Sequence, residues 1–246
     1  MSRNRNRRGG VVTPILELNN IRGGYGTIDV LHGVSLKLEA GQVHALLGPN
    51  GAGKTTTLGV CSGQIVPSGG QLLISGREVN GVSSDALARA GVCLVPEGRG
   101  IFPNLTVTEN LRMFTHAGVS FADIQENAFR QFPRLQERRK QIAGTMSGGE
   151  QQMLAMSRAL AVNPSLLLLD ELSMGLAPLI VEELYERVAE LAAEGISILV
   201  VEQFAQAVLG VSTVASIMLH GRITRTGPPA EIAEELTEAY LGGTTH

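Results

Sequence analysis

No apolar stretch in this 246-residue chain is long enough to cross a bilayer; the best, such as Ile196–Val201, are the length of a single strand. Any membrane role must therefore run through a partner. Cysteine is scarce. Cys61 and Cys93 stand apart in apolar surroundings, which excludes a disulfide framework or a metal knuckle and makes both small core residues of a reducing compartment. Aspartate is scarce too, with four residues in the whole chain, so each one's position is informative. The formal net charge is only −3, but it conceals an asymmetry. The first eight residues, MSRNRNRR, hold four of the 20 basic side chains and no acid, leaving 16 basic against 23 acidic elsewhere, a net of −7. A mildly acidic body argues against a nucleic-acid-binding surface. The Arg-rich head lacks the apolar segment of a signal peptide, so residues 1–13 read as a disordered, solvated basic tail, with contact to anionic lipid or RNA the lesser alternative.

What is present describes an ordinary globular protein: 43% hydrophobic and 17% charged residues, enough for one sizeable core. Up to about Ile74 the pattern is strand-rich, with ILELNNI, VSLKLE, QVHALLG and QLLIS separated by glycine-containing turns and one strong helix after Gly53. From about Phe102 to Leu160 apolar residues recur at three-and-four spacing, as in LTVTENLRMFTHA and EQQMLAMSRALA, which predicts helices. From Ser165 onward strands and helices alternate through LLLLD, ISILVV and VASIML, the signature of βα units on a parallel sheet. The reading is an α/β core over residues 14–246, with a helical subdomain inserted at about 100–160.

Gly48 to Thr56, GPNGAGKTT, follows the apolar strand VHALL and has the spacing GxxxxGK[ST]. The glycines let successive backbone N–H groups turn inward around phosphate oxygens, and the helix that follows points its positive end at the same anion. Gly48, Pro49, Asn50, Gly51, Ala52, Gly53, Lys54, Thr55 and Thr56 form the expected phosphate loop, with Lys54 on the β- and γ-phosphates and the Thr55 hydroxyl available to Mg²⁺. Such a loop needs a carboxylate on a neighbouring strand. SLLLLDE supplies Asp170 at the end of a buried strand as a metal ligand, and Glu171 next to it as the base or orienter of an attacking water. The alternative is that Asp170 to Ser173 cap a following helix.

Just ahead of that strand, MSGGEQQMLAMSRAL provides a second glycine-rich helix start at Ser147, Gly148, Gly149 and Glu150, hence a second anion site, with the helix beginning near Glu150. This block resembles the signature motif of the ATP-binding cassette (ABC) family, and the likeness covers nearly the whole chain except the Arg-rich head and the C-terminal tail. It implies a P-loop NTPase of ABC type: a mixed sheet core with an N-terminal antiparallel β-subdomain and an inserted helical subdomain. It also implies that the signature of one subunit closes over ATP held by the phosphate loop of another. Tyr25, in RGGYGTIDVLHGVSL, matches the aromatic that stacks on adenine. Glu97, in LVPEGRGIFPNLTVTENL, stands where most cassettes carry a glutamine that senses Mg²⁺, and a carboxylate there can still ligate it. ELSMGLAP matches the segment that touches the opposite subunit, with Leu172 in place of the usual proline and a turn expected to be less rigid. LVVEQF places Gln203 where most cassettes have a histidine on the γ-phosphate; an amide can donate there but cannot titrate near neutral pH. Glu202, beside it, reads as structural.

VPEGRGIFPNLTVTENL, SMGLAP and VVEQ together resemble one of the two ATPase subunits of branched-chain amino acid importers. That likeness implies transmembrane permease subunits docked on the block from Ile101 to about Gln141, a second cassette (copy or paralogue), an indirect substrate-binding protein, no nucleic acid, and a peripheral place on the cytoplasmic face of a bacterial inner membrane. Related cassettes serve urea and short-amide importers. A soluble cassette acting on DNA or ribosomes would show tandem loops or a long coiled coil, and a lone-P-loop kinase or GTPase would lack the signature block.

Overall fold

Alternating apolar residues build the first part of the chain into an antiparallel sheet. β1 (Leu16–Tyr25) lies between β2 (Ile28–Leu38) and β4 (Gly69–Ile74), and the two-residue β5 (Arg77–Glu78) completes the order β2-β1-β4-β5. The computed structural model describes residues 13–115 and 118–241, so residues 1–12 of the expected basic tail lie outside the described residues.

The second sheet has the order β10-β9-β3-β8-β7-β6, from β3 (Val43–Leu47), β6 (Val92–Val95), β7 (Leu166–Asp170), β8 (Ser197–Glu202), β9 (Val214–Leu219) and β10 (Arg222–Gly227). All pairs in it are parallel except β9 with β10, which form an antiparallel edge hairpin. Every residue of β3, β7 and β8 is buried, as continuous apolar strands covered on both faces should be. Two strands of this sheet go beyond the sequence expectation. β6 is only four residues long, and β10, RITRTG, is a largely exposed edge strand with no strong apolar pattern.

Side chains alternate between two cores. Leu46, Leu166, Leu168, Leu199 and Val201 pack toward the antiparallel sheet and α1 (Lys54–Cys61). Val43, Ala45, Leu47, Leu167, Leu169, Ile198 and Val200 pack toward the helices on the other face. Those helices include α3 (Val107–Arg112), α4 (Phe121–Gln131), α5 (Pro133–Glu137) and α6 (Gly148–Leu160), which fall between β6 and β7 in the expected helical block, and α7 (Pro178–Ala193). A short α2 (Ser84–Arg89) precedes β6, and α8 (Ala205–Leu209) and α9 (Pro229–Leu241) flank the last hairpin. Of the two thiols, Cys61 is fully buried as expected, whereas Cys93 is only partly covered and faces a surface cavity.

Candidate active site

Parallel strands bring their carboxyl ends to one edge of a sheet, where open α/β folds place ligands. Four ends meet here. β3 runs into Gly48, β6 into Pro96 and Glu97, β7 finishes on Asp170 with Glu171 next, and β8 finishes on Glu202 with Gln203 next. The register sets Leu47 opposite Glu202 and Asp170 opposite Val201.

The phosphate loop is held open by its glycines. Gly51 and Gly53 have φ of +78° and +105°, in the left-handed region that favours glycine, and a Cβ on Gly53 would come within 3.0 Å of Leu31 and Met218. Gly53 also starts α1 without any side-chain cap. Ser83, Thr106, Ser120 and Ser147 cap α2, α3, α4 and α6 with their hydroxyls, whereas α5, α7 and α8 start uncapped as α1 does. The first N–H groups of α1 are thus left for an anion. The nearly buried Lys54 ammonium donates to the carbonyls of Gly48 at 2.9 Å and Pro49 at 3.2 Å and lies 3.5 Å from Glu171 Oε1. The Thr55 hydroxyl donates to Asp170 Oδ1 at 3.3 Å, joining residues 115 positions apart.

A cavity of about 430 Å³ opens on these groups, lined by Asn50, Gly51, Gly53, Lys54, Thr55, Thr56, Glu97 and Glu171. Val30 and Met174 complete its wall; they lie within the stretches RGGYGTIDVLHGVSL and ELSMGLAP, but the sequence marks neither as a site residue. Other expected site residues stand elsewhere. Ala52 is buried, its carbonyl accepting the Gly221 N–H at 2.8 Å and so tying the loop to the β9–β10 hairpin. Gly48, Pro49 and Gln203 line a separate cavity of about 600 Å³, together with the exposed Phe204. Tyr25, at the end of β1, is more than half exposed.

Ser147, Gly148, Gly149 and Glu150 line neither of these two cavities. α6 begins at Gly148, two residues earlier than its sequence suggests, because Glu150 folds back into a capping box. Its carboxylate accepts the Ser147 N–H and hydroxyl, each at 2.9 Å, and the Arg138 Nε–H at 3.2 Å. In this geometry the Glu150 side chain serves the helix start. Arg99 reaches across from the loop after β6 to donate to Gln151 Oε1 at 2.5 Å, linking that loop to the first turn of α6.

The helix-cap alternative for Asp170 fails, because the next helix, α7, starts at Pro178 with Ala177 as its N-cap. Burial pushes the Asp170 carboxyl up to about 6; the Thr55 hydrogen bond opposes this, and the charges of Glu171 and Glu97 add to it. Three carboxylates therefore act on one another around a single ammonium. Glu171 sits at φ +46°, a conformation that costs a residue with a Cβ about 1–2 kcal/mol. The turn that holds it there is anchored by Leu172, which is 1% exposed.

The donor set around Thr55, Asp170 and Glu97 is oxygen only and rich in negative charge, which fits a hard divalent cation such as Mg²⁺. Among the described residues no group of three or more acidic, His or Cys side chains forms a metal cage of its own. Mg²⁺ is commonly held by one or two carboxylates together with substrate phosphates and water, and Asp170 and Glu97 beside the Thr55 hydroxyl would suit such an arrangement.

A phosphate loop with a bare helix start, an acid pair on the adjacent parallel strand and an antiparallel sheet packed beside them define a P-loop NTPase. A family model described as ABC transporter matches residues 31–173. The high-affinity branched-chain amino acid transport ATP-binding protein BraG of Pseudomonas aeruginosa is 41% identical over 237 residues, covering 93% of this chain and 100% of that protein. The Nod factor export ATP-binding protein I of Cupriavidus pinatubonensis is 35% identical, covering 91% of this chain and 69% of that protein. A crystal structure of the ADP conformation of an ATP-binding cassette of an ABC transporter matches with a TM-score of 0.81 at 26% identity, covering 93% of this chain and 99% of that one. The chain belongs to the ABC transporter family, as one of its ATP-hydrolysing cassettes.

Proposed function

We propose that this chain is the energy-coupling subunit of an importer for branched-chain, hydrophobic amino acids. The observation that carries the reading is the end-to-end likeness to BraG, which spans all of that protein, whereas the Nod factor relative is matched over 69% of its length. Glu97 and Gln203, two of the three positions where the chain departs from the common cassette pattern, belong to the same reading; the third is Leu172.

In this reading the bare start of α1 and the Lys54 ammonium bind the β- and γ-phosphates, and Tyr25 stacks on adenine. Thr55, Asp170 and Glu97 would hold Mg²⁺, which when bound offsets the negative charge of the phosphates. Glu171 orients the attacking water, and Gln203 donates to a γ-phosphate oxygen. The signature residues 147–150 stand apart from the phosphate-loop cavity, which supports a site shared between two cassettes, each closing Ser147 over nucleotide on the other. Residues 14–246 work as one unit in this scheme.

Among the described residues no helix is long and apolar enough to cross a membrane, so coupling has to pass through a permease. A cavity of about 690 Å³ between α2, β6 and α6, which the expected docking block from Ile101 to about Gln141 reaches only through Phe114 and Val119, is the surface we assign to it. The Arg158 guanidinium there lies 4.8 Å from the Phe102 ring and 4.7 Å from the Phe114 ring. The chain then sits on the cytoplasmic face of the membrane. The test is uptake by proteoliposomes holding this cassette with the permease and binding protein encoded beside it. ATP-dependent uptake of leucine, isoleucine or valine is expected; uptake of urea or a short amide instead would overturn the substrate reading.

A further inference from the structure

We propose that Glu202 is a positioning residue of the ATPase reaction: its carboxylate clamps the turn carrying Glu171 onto the strand beside the phosphate loop. The proposal rests on the reading of Glu171 as the residue that orients the attacking water.

Glu202 is 1% exposed, at the last position of β8. A buried carboxylate has only acceptors, and this one is supplied with three donors. Ser173 gives its backbone N–H to Oε1 at 2.9 Å and its hydroxyl to Oε2 at 2.9 Å, and Tyr185 gives its hydroxyl to Oε1 at 2.5 Å. Ser173 lies two residues beyond Glu171, and the Glu171 N–H is itself bonded to the Val201 carbonyl at 3.0 Å. The turn is therefore stapled at both ends to consecutive residues of one strand, with the buried Leu172 between the staples. The Glu202 carbonyl also accepts the Gly48 N–H at 3.3 Å, the first glycine of the phosphate loop.

One residue thus joins the loop that holds phosphate, the turn that aims Glu171 and the backbone of Gln203. The aim matters because Glu171 is held at φ +46°, a conformation that its own backbone does not favour. Release of the Ser173 N–H would let the turn relax and swing the Glu171 carboxylate away. A displacement of about 1 Å in a reacting group can lower a rate about a hundredfold. Burial raises the Glu202 carboxyl above its ordinary range, opposed by the bonds from Tyr185 and Ser173. The clamp does not depend on charge alone. A glutamine could accept the Ser173 N–H and the Tyr185 hydroxyl through its carbonyl and donate to the Ser173 Oγ.

The test is the kcat and KM for ATP of the assembled transporter carrying Glu202→Gln, Glu202→Asp or Glu202→Ala. Shortening the arm in Glu202→Asp keeps the charge but pulls on the turn, so kcat should fall on the order of tenfold with KM within about twofold of the wild type. Glu202→Gln should keep at least about half of kcat, and Glu202→Ala should lose more than Glu202→Asp. Should Glu202→Ala fail to fold, the aspartate and glutamine variants still decide. Glu202→Asp at the wild-type rate, Glu202→Gln as impaired as Glu202→Asp, or kcat and KM altered to the same degree would each overturn the clamp. Glu171→Gln is measured alongside. Near-normal turnover by that variant removes the premise, whereas an inactive Glu171→Gln leaves the Glu202 series to judge the clamp by itself.

Discussion

His44 lies on β3, the strand that delivers the phosphate loop, and acid should loosen the protein there. The ring is 1% exposed, with Nε2 2.8 Å from Ser216 Oγ on β9 and Nδ1 3.1 Å from the Lys37 carbonyl on β2. Burial pushes its pKa from 6.5 down to about 4, and the Lys37 carbonyl only partly offsets this. The folded chain therefore binds fewer protons than the unfolded one between these two values. Stability is lost as pH falls through that window and is fully present above the unfolded pKa. Going from about pH 7.5 to about pH 5, the linkage relation gives a loss of about 2 kcal/mol from this residue alone, out of about 3 kcal/mol for the whole shift. Asp170 and Glu202 titrate in the opposite sense, since burial raises both, so the wild-type curve by itself does not isolate His44. Urea unfolding of the wild type and His44→Gln at several pH values does. Glutamine can bond to both neighbours without titrating, so the stability difference between the two proteins should shrink or reverse by about 2 kcal/mol toward pH 5. Parallel curves over that range would refute the reasoning.

Glu171→Gln should bind ATP with affinity close to that of the wild type, lose most turnover and accumulate as a nucleotide-bound dimer on size-exclusion chromatography; near-normal hydrolysis would remove Glu171 from its role. Gln203→His should add an inflection near the ordinary histidine pKa of about 6.5 to the pH–rate profile; the same inflection already present in the wild type and lost only when Gln203 is changed would contradict a neutral contact. Leu172→Ala, which empties a fully buried position in the turn after Glu171, should cost about 2–5 kcal/mol of stability, measured by thermal or urea unfolding. A loss below about 0.5 kcal/mol would show that the turn does not depend on this anchor.

The parts of the site legible in the sequence are those whose chemistry is local. The phosphate loop needs its glycines, lysine and threonine within nine residues, and Asp170 ends a run of leucines that can only be a buried strand. The order of strands in the second sheet was less accessible. β10 is an exposed edge strand rich in Arg and Thr, and its pairing with β9 follows from a tight hairpin rather than from apolar alternation. Glu202 is legible as a polar residue at a strand end and as structural. Its partners were not, because Ser173 and Tyr185 stand 29 and 17 residues away and no motif spacing connects them. Glu150 shows the reverse case: serine followed three residues later by glutamate is a capping-box pattern, and the structure uses it as one.

The reading to test is that two cassettes share each active site, one supplying Lys54 and the other Ser147. Lys54→Ala removes the phosphate ligand, while Ser147→Asp keeps a good helix cap and sets a carboxylate against the incoming phosphate. Each variant alone should be nearly inactive. An equimolar mixture should regain about a quarter of the wild-type ATPase rate, because about half of the randomly formed pairs carry one intact site of two. Hydrolysis at the wild-type rate by Ser147→Asp alone would show that one chain holds a complete site, and would contradict the account.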